Sequence, residues 1–109
     1  MKKALYLAMI GSMAALFTLT PASAQTTGAK IYKAKCEMCH GADGSGSTPA
    51  GKMMKAIPFK SPELVKKTDA ELIHATENGK GHMPAYKSKL TDAQIKDVIG
   101  YIRTLQKKK

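Results

Sequence analysis

The most constraining feature of this chain is the pentapeptide Cys36-Glu37-Met38-Cys39-His40. Its cysteines are the only two in the chain, they lie three positions apart, and a histidine follows the second directly. This spacing is typical of covalent haem attachment, in which each thiol forms a thioether with a porphyrin vinyl group. His40 would then be an axial ligand of the iron through a neutral imidazole nitrogen. The motif therefore predicts one covalently bound haem c and a fold organised around it.

Two other uses of the cysteine pair have to be compared with haem attachment. A redox-active dithiol normally lies in a thioredoxin-like βαβ setting, and no run of β-branched residues flanks this motif. A structural zinc site needs four ligands, and the other histidines, His74 and His82, are not spaced as in a zinc finger. Haem attachment is the favoured interpretation.

The first 24 residues have the pattern of a secretory signal peptide. A basic start precedes a mostly apolar run over residues 4–19, and the small residues Ala22 and Ala24 provide a cleavage site. We therefore predict a signal peptide over residues 1–24 and one small mature domain over residues 25–109, exported to the periplasm. The alternative is an uncleaved membrane anchor, but the apolar run is short for a stable span.

Three segments of the mature chain predict helices. A short amphipathic helix is expected from Ala29 into the cysteine motif, because apolar residues recur there at helical spacing. Thr68 with Glu71, and Thr91 with Gln94, have the spacing of capping boxes, which mark two further helix starts. The last helix has the most regular apolar stripe, formed by Ile95, Val98, Ile99, Ile102 and Leu105.

Residues 41–62 are expected to form one long loop, because glycines and prolines cluster there. A loop of this length in a small domain needs a reason, and wrapping the edge of a planar cofactor is one. Pro58 and Pro62 should keep its later part extended. The residues expected to turn inward against the cofactor are Met53, Met54, Ile57 and Phe59.

Met83 is the predicted second axial ligand of the iron. It follows Gly79 and Gly81 and precedes Pro84, so the backbone can approach a ring closely and the turn is then fixed. A thioether is a soft ligand suited to haem iron, and a Met/His pair raises the reduction potential. The alternatives left open at this point are Met53, Met54, His74 and His82.

Taken together, the chain resembles the class I c-type cytochromes, and more narrowly the short bacterial members with a single haem. The resemblance covers residues 28–106 and rests on the cysteine motif, the downstream Met83-Pro84 in a glycine loop, and a final amphipathic helix containing Tyr101. It implies an all-α cytochrome c fold in which three to four helices wrap around one covalently bound haem.

The resemblance also implies two structural details. In this family the first and last helices cross at a small residue and an aromatic, and the matching positions are Gly28 and Tyr32 in the first helix and Gly100 with Tyr101 in the last. A glycine inside a helix is unfavourable, so we expect close helix approach to compensate at Gly100.

The family's other detail is a proline carbonyl that accepts a hydrogen bond from Nδ1–H of the haem histidine, which fixes the tautomer. Pro49 is the candidate here, and Pro58 is the less favoured alternative. Many short members use a tryptophan to bond a haem propionate, and this chain has none. Tyr86, a lysine or a backbone amide could replace it.

The function implied by the resemblance is outer-sphere transfer of single electrons by a soluble periplasmic carrier rather than an enzyme. The alternative is an electron-entry subunit of a larger oxidoreductase complex. The net charge of +10 favours transient docking with acidic redox partners, steered by surface lysines. Nucleic acid is not an expected partner, because the chain lacks basic motifs with interleaved aromatics. A monomer without stable membrane insertion is expected. The lysines that could face the haem edge are Lys35, Lys52, Lys55, Lys80 and Lys87.

Overall fold

The computed structural model describes residues 22–109 and, from Thr26 onward, their side chains. Six helices follow one another along this part of the chain, and none of its residues forms a β-strand beyond one isolated bridge. The helices are α1 (Ala22–Lys35), α2 (Glu37–His40), α3 (Pro49–Met53), α4 (Pro62–Val65), α5 (Asp69–Asn78) and α6 (Asp92–Lys107). The all-α prediction is confirmed. The short helices α3 and α4 were not expected, whereas the four-residue α2 lies within the helix predicted to run into the cysteine motif.

The packing of α1 against α6 forms the centre of the fold. The apolar stripe of α6 is buried as predicted, with Ile95 and Val98 fully inaccessible to solvent. Tyr32 of α1 is 2% exposed and packs against Tyr101 of α6, with ring centroids 5.1 Å apart. The buried core consists of Tyr32, Phe59, Ile95, Val98, Ile99, Ile102 and Leu105.

Both predicted capping boxes are present. The Thr68 hydroxyl accepts from the N–H of Glu71, whose carboxylate accepts from the N–H of Thr68, and Thr91 with Gln94 repeats the arrangement. The N–H hydrogen bond and the hydroxyl of Thr68 lower the pKa of the exposed Glu71 carboxyl. Arg103 of α6 then joins the two helices, with its Nε 2.8 Å from Oδ1 of Asp69.

The first helix begins earlier than predicted, at Ala22 rather than Ala29. The polar stretch before Ala29 contains no proline, and its single glycine, Gly28, lies at the contact with α6. Most of the predicted signal peptide, residues 1–21, lies outside the described residues. Cleavage after Ala24 would remove the first three residues of the helix. Among the described residues, no helix is long and apolar enough to cross a membrane.

The expected loop over residues 41–62 contains α3 and α4. The Thr48 hydroxyl accepts from the N–H of Gly51 and caps α3, and Pro49 occupies one of the first positions of that helix. Pro62 likewise begins α4 after Ser61, so the prediction that Pro62 keeps this stretch extended is wrong. Proline is favoured at the first helical position, because its missing N–H would have no partner there.

The glycine that permits close helix approach is Gly28 and not Gly100. A Cβ built on Gly28 would lie 2.2 Å from the carbonyl oxygen of Asp97 in α6. Gly100 is exposed, and a Cβ built there would have no atom within 4 Å. The prediction for Gly100 is therefore wrong, because this residue faces away from the stripe that packs on α1.

We expect opposite effects from alanine at these two glycines. Gly28→Ala should destabilise the protein by about 1–3 kcal/mol, since α1 must move away from α6. Gly100→Ala should stabilise it by about 0.5–1 kcal/mol, because alanine is the better helix former and has open space. Urea unfolding of both variants measures this difference. Equal stability of the Gly28→Ala variant and the unaltered protein would contradict the close approach.

Candidate functional site

A mostly apolar cavity of about 400 Å³ lies between the cysteine motif, α5, α6 and the loop after α5. Its volume is within the range of about 300–1,000 Å³ that is usual for small-molecule and cofactor sites. Cys36, Cys39, His40 and Met83 all lie on its wall, although Met83 belongs to a distant segment of the chain. The fold therefore brings the predicted attachment residues and both predicted axial ligands to one cavity. The apolar residues of its wall include Leu64, Leu72, Val98, Ile99 and Ile102.

Both cysteines are free thiols on the cavity wall. The one-turn helix α2 brings them together, since the N–H of His40 donates to the Cys36 carbonyl over 2.9 Å. Burial, followed by the neighbouring Cys39, raises the pKa of Cys36 to about 11. Redox-active dithiols instead have lowered pKa values, so the setting does not suit that alternative. In the described residues, no group of three or more His, Cys, Asp or Glu could hold a metal ion.

The His40 imidazole is held by a stacked aromatic ring. It lies parallel to the ring of Phe59, with centroids 4.6 Å apart and an interplanar angle of 23°. Burial lowers the pKa of His40, which favours the neutral imidazole that a metal requires. Two hydrogen bonds fix the backbone of Phe59. Its N–H donates to the Gly44 carbonyl and its carbonyl accepts from Nε2 of Gln106, each over 2.9 Å.

Pro49 is not placed as the resemblance implied. Nδ1 of His40 is buried and has no hydrogen-bond partner, so the structure does not contain the bond to the Pro49 carbonyl. Pro49 lies in the first turn of α3, and carbonyls of helical residues point along the helix axis. Pro58 is exposed and also does not bond to Nδ1.

The loop that carries Met83 is folded tightly on itself. Lys80 and Met83 exchange backbone hydrogen bonds, with N···O distances of 3.2 and 2.9 Å. Gly79 has φ +76°, and a Cβ there would lie 2.6 Å from the Met83 carbonyl oxygen, so only glycine fits without strain. These constraints hold the half-buried Met83 at the cavity.

The alternative ligands differ in their placement. Met53 is 79% exposed and is not part of the cavity wall, so the prediction that it turns inward is wrong. The reason is helical geometry: Gly51 faces the protein in α3, and a residue two positions later faces the opposite side. His74 is also exposed and lies off the wall, whereas Met54 and His82 lie on it. The other residues predicted to face the cofactor, Ile57 and Phe59, do line the cavity.

Gln106 is a site residue that the sequence reasoning missed. It lines the cavity, supports Phe59, and accepts from Nη1 of Arg103 over 2.9 Å. A signal for it was present, because it lies four positions after Ile102 and one after Leu105, beside the apolar stripe. A polar side chain next to a buried stripe normally has a hydrogen-bonding role.

The rim of the cavity is basic and contains one tyrosine. Lys35, Lys55 and Lys80 line the cavity, whereas Lys52 and Lys87 do not. Tyr86 also lines the cavity, and its hydroxyl donates to the Lys35 carbonyl over 3.0 Å. Burial raises the pKa of the Tyr86 hydroxyl, so it stays protonated at neutral pH.

Comparison with known families identifies the kind of protein to which this site belongs. Residues 23–102, which include every predicted site residue, match the family described as Cytochrome C oxidase, cbb3-type, subunit III. The chain belongs to the c-type cytochromes. This cytochrome therefore carries one covalently bound haem c. The residues present fit that group, because two free thiols and a half-buried imidazole, whose pKa is lowered by burial, line one apolar cavity.

Individual relatives agree with this assignment. The cytochrome is 39% identical to cytochrome c6 of Nostoc sp. over 108 residues, which cover 94% of this chain and 92% of the Nostoc protein. It is 34% identical over 88 residues to the cbb3-type cytochrome c oxidase subunit CcoP of Azospirillum brasilense. That match covers 79% of this chain and 30% of the CcoP protein. Its fold matches the solved KustC0563 c-type cytochrome with a TM-score of 0.66 and 31% identity, over 72% of this chain and 96% of that one.

Proposed function

We propose that this cytochrome is a periplasmic carrier of single electrons, in which Cys36 and Cys39 tether the haem and His40 and Met83 are the axial ligands of its iron. The observation that carries the proposal is the convergence of these four side chains on one cavity. A histidine nitrogen and a methionine sulfur are a ligand pair of electron-transfer haems, and the pair raises the reduction potential.

The haem supplies a one-electron couple, and the surrounding side chains make it suitable for electron transfer. Phe59 holds the His40 imidazole in a fixed orientation by stacking on it. The tight turn between Gly79 and Met83 holds the thioether on the cavity wall. Because both ligands stay in place, the site has no open position for a substrate, which favours a carrier over an enzyme.

The partners that suit this surface are acidic redox proteins that dock transiently. Lys35, Lys55 and Lys80 line the cavity, and the chain has a net charge of +10, which becomes +8 when Lys2 and Lys3 are removed with residues 1–24. Such charges raise association rates more than affinity, which suits a carrier that must also dissociate. We further propose export to the periplasm with removal of residues 1–24, a monomeric state, and no nucleic-acid partner.

A second candidate function is an electron-entry subunit of a larger oxidoreductase complex. It is supported by the match to a family described as a cbb3-type oxidase subunit and by the similarity to CcoP. Fractionation separates the two functions: a free carrier is recovered with the periplasmic proteins, whereas a subunit copurifies with the oxidoreductase complex.

The absence of an open coordination position can be tested with carbon monoxide. The reduced protein at neutral pH should not bind carbon monoxide rapidly or stoichiometrically, because Met83 occupies the sixth position. Met83→Ala is the matched control and should bind it quickly, since alanine leaves that position open. Visible spectra recorded after addition of the gas measure both. Rapid stoichiometric binding by the unaltered protein would support an open, enzyme-like site and contradict the carrier proposal.

A further inference from the structure

Tyr86 joins the segment over residues 79–86, called the Met83 loop below, to the segment that carries the cysteines. Its hydroxyl donates a hydrogen bond of 3.0 Å to the carbonyl of Lys35, which directly precedes Cys36. The two residues are 51 positions apart in the chain, and both line the cavity. The bond therefore connects the two sides of the site, one with the predicted sulfur ligand and the other with the attachment motif.

The backbone of Tyr86 is itself anchored to α5 and to the turn that follows. Its N–H donates to the Thr76 carbonyl over 3.0 Å, and its carbonyl accepts from the N–H groups of Lys89 and Leu90, each over 2.9 Å. The residue is thus a fixed point at the C-terminal end of the Met83 loop. A hydrogen bond from such a point restrains the loop more than one from a freely moving side chain.

The Met83 loop itself has few restraints on its outer side. Gly79 and Gly81 both have positive φ values, and a Cβ built on Gly81 would have no atom within 4 Å. The loop closes through its own pair of backbone hydrogen bonds between Lys80 and Met83. Such segments open locally at low free-energy cost, so a single added hydrogen bond changes their opening equilibrium measurably.

The geometry also argues against a different role for Tyr86, that of a hydrogen-bond donor to a haem propionate. A tyrosine hydroxyl has one proton to donate, and a carboxylate can only accept. The Tyr86 proton is already donated to the Lys35 carbonyl. A bond to a propionate would therefore require this hydrogen bond to break.

We propose that Tyr86 is a positioning residue that keeps the Met83 loop closed over the cavity, and so limits the exchange of Met83 for external ligands of the iron. This inference rests on the proposed ligation by Met83. An external ligand reaches the iron only when the loop is open, so its apparent dissociation constant equals the intrinsic constant divided by the open fraction.

The experiment is an imidazole titration of the ferric holoprotein with and without the Tyr86→Phe substitution. Loss of one hydrogen bond should raise the open fraction roughly fivefold, so the apparent imidazole dissociation constant should fall roughly fivefold. Hydrogen exchange at the Met83 amide, which bonds to Lys80, should accelerate by the same factor. Phenylalanine keeps the ring, so this variant is expected to fold and retain haem.

Tyr32→Phe is the matched control. The Tyr32 hydroxyl also donates to a backbone carbonyl, that of Gly41, but it is buried away from the Met83 loop. Its removal should lower stability while leaving the imidazole dissociation constant within about twofold of the unaltered value. The inference is overturned if Tyr86→Phe leaves both readouts unchanged, or if Tyr32→Phe changes them equally. It is also overturned if Tyr86→Phe alters only the pH dependence of the reduction potential, which is the result for a propionate donor.

A failure of this inference can be distinguished from a failure of the proposed function. If Met83 is not a ligand, the unaltered ferric protein lacks a sulfur-to-iron charge-transfer band, and the carrier proposal fails with it. If that band is present and Tyr86→Phe behaves like Tyr32→Phe, only the role of Tyr86 is wrong.

Discussion

Replacement of both haem-attachment cysteines, Cys36→Ser with Cys39→Ser, should yield a chain that holds no covalent haem and does not fold cooperatively at room temperature. The cavity of about 400 Å³ has mostly apolar walls that the haem would otherwise cover. Leaving these apolar walls in water forfeits about 25 cal/mol per Å² of surface that the haem would cover, and a small domain has a total stability of only about 5–15 kcal/mol. Collapse of the walls would lower this cost without restoring the native packing.

The measurements are haem retention on a denaturing gel and thermal unfolding followed by circular dichroism. The single variant Cys36→Ser is the matched control, because Cys39 can still form one thioether and His40 is unchanged. It should retain haem and unfold at an intermediate temperature. A double variant with a cooperative transition at the temperature of the unaltered protein would show that the helices are stable without the tethered group.

Met83→Ala should remove the sulfur-to-iron band from the ferric spectrum and lower the reduction potential by on the order of 100 mV or more, since axial ligands set haem potentials over a span of about 0.8 V. The thioether stabilises the ferrous state, so its loss favours the ferric form. Spectroscopy and a potentiometric titration measure the two effects independently.

Two other methionines provide controls for this prediction. Met53→Ala should change neither readout, because Met53 is 79% exposed and lies off the cavity wall. Met54 lies on the wall and tests the alternative assignment. If Met54→Ala abolishes the band while Met83→Ala keeps it, then Met54 is the ligand and the assignment of Met83 is wrong.

The elements that the sequence predicted well are those with local signals. Local sequence patterns encode the capping boxes at Thr68 and Thr91 and the apolar stripe of α6. The starts of α5 and α6 and the buried face of α6 could therefore be predicted from the sequence. The convergence of Met83 with His40 was inferred from the chemistry of the two segments. No short-range pattern could have placed these residues on one cavity.

The elements that the sequence missed depend on tertiary contacts or on weak local signals. The resemblance placed both Gly28 and Gly100 at the helix crossing; the packing of α1 on Asp97 confirms Gly28, and only this packing shows that Gly100 lies elsewhere. The stacking of Phe59 on His40 likewise joins segments with no common pattern. The helix α3 is different, because Thr48 followed by Pro49 is a local start signal that could have been recognised.

The most direct test of the central claim is X-ray absorption at the iron edge of the exported ferric protein. We predict one sulfur atom in the first coordination shell of the iron, with nitrogen atoms in the remaining positions, and we predict that this sulfur is lost in Met83→Ala. A first shell of nitrogen atoms alone in the unaltered protein, or a sulfur that persists in Met83→Ala, would contradict ligation by His40 and Met83.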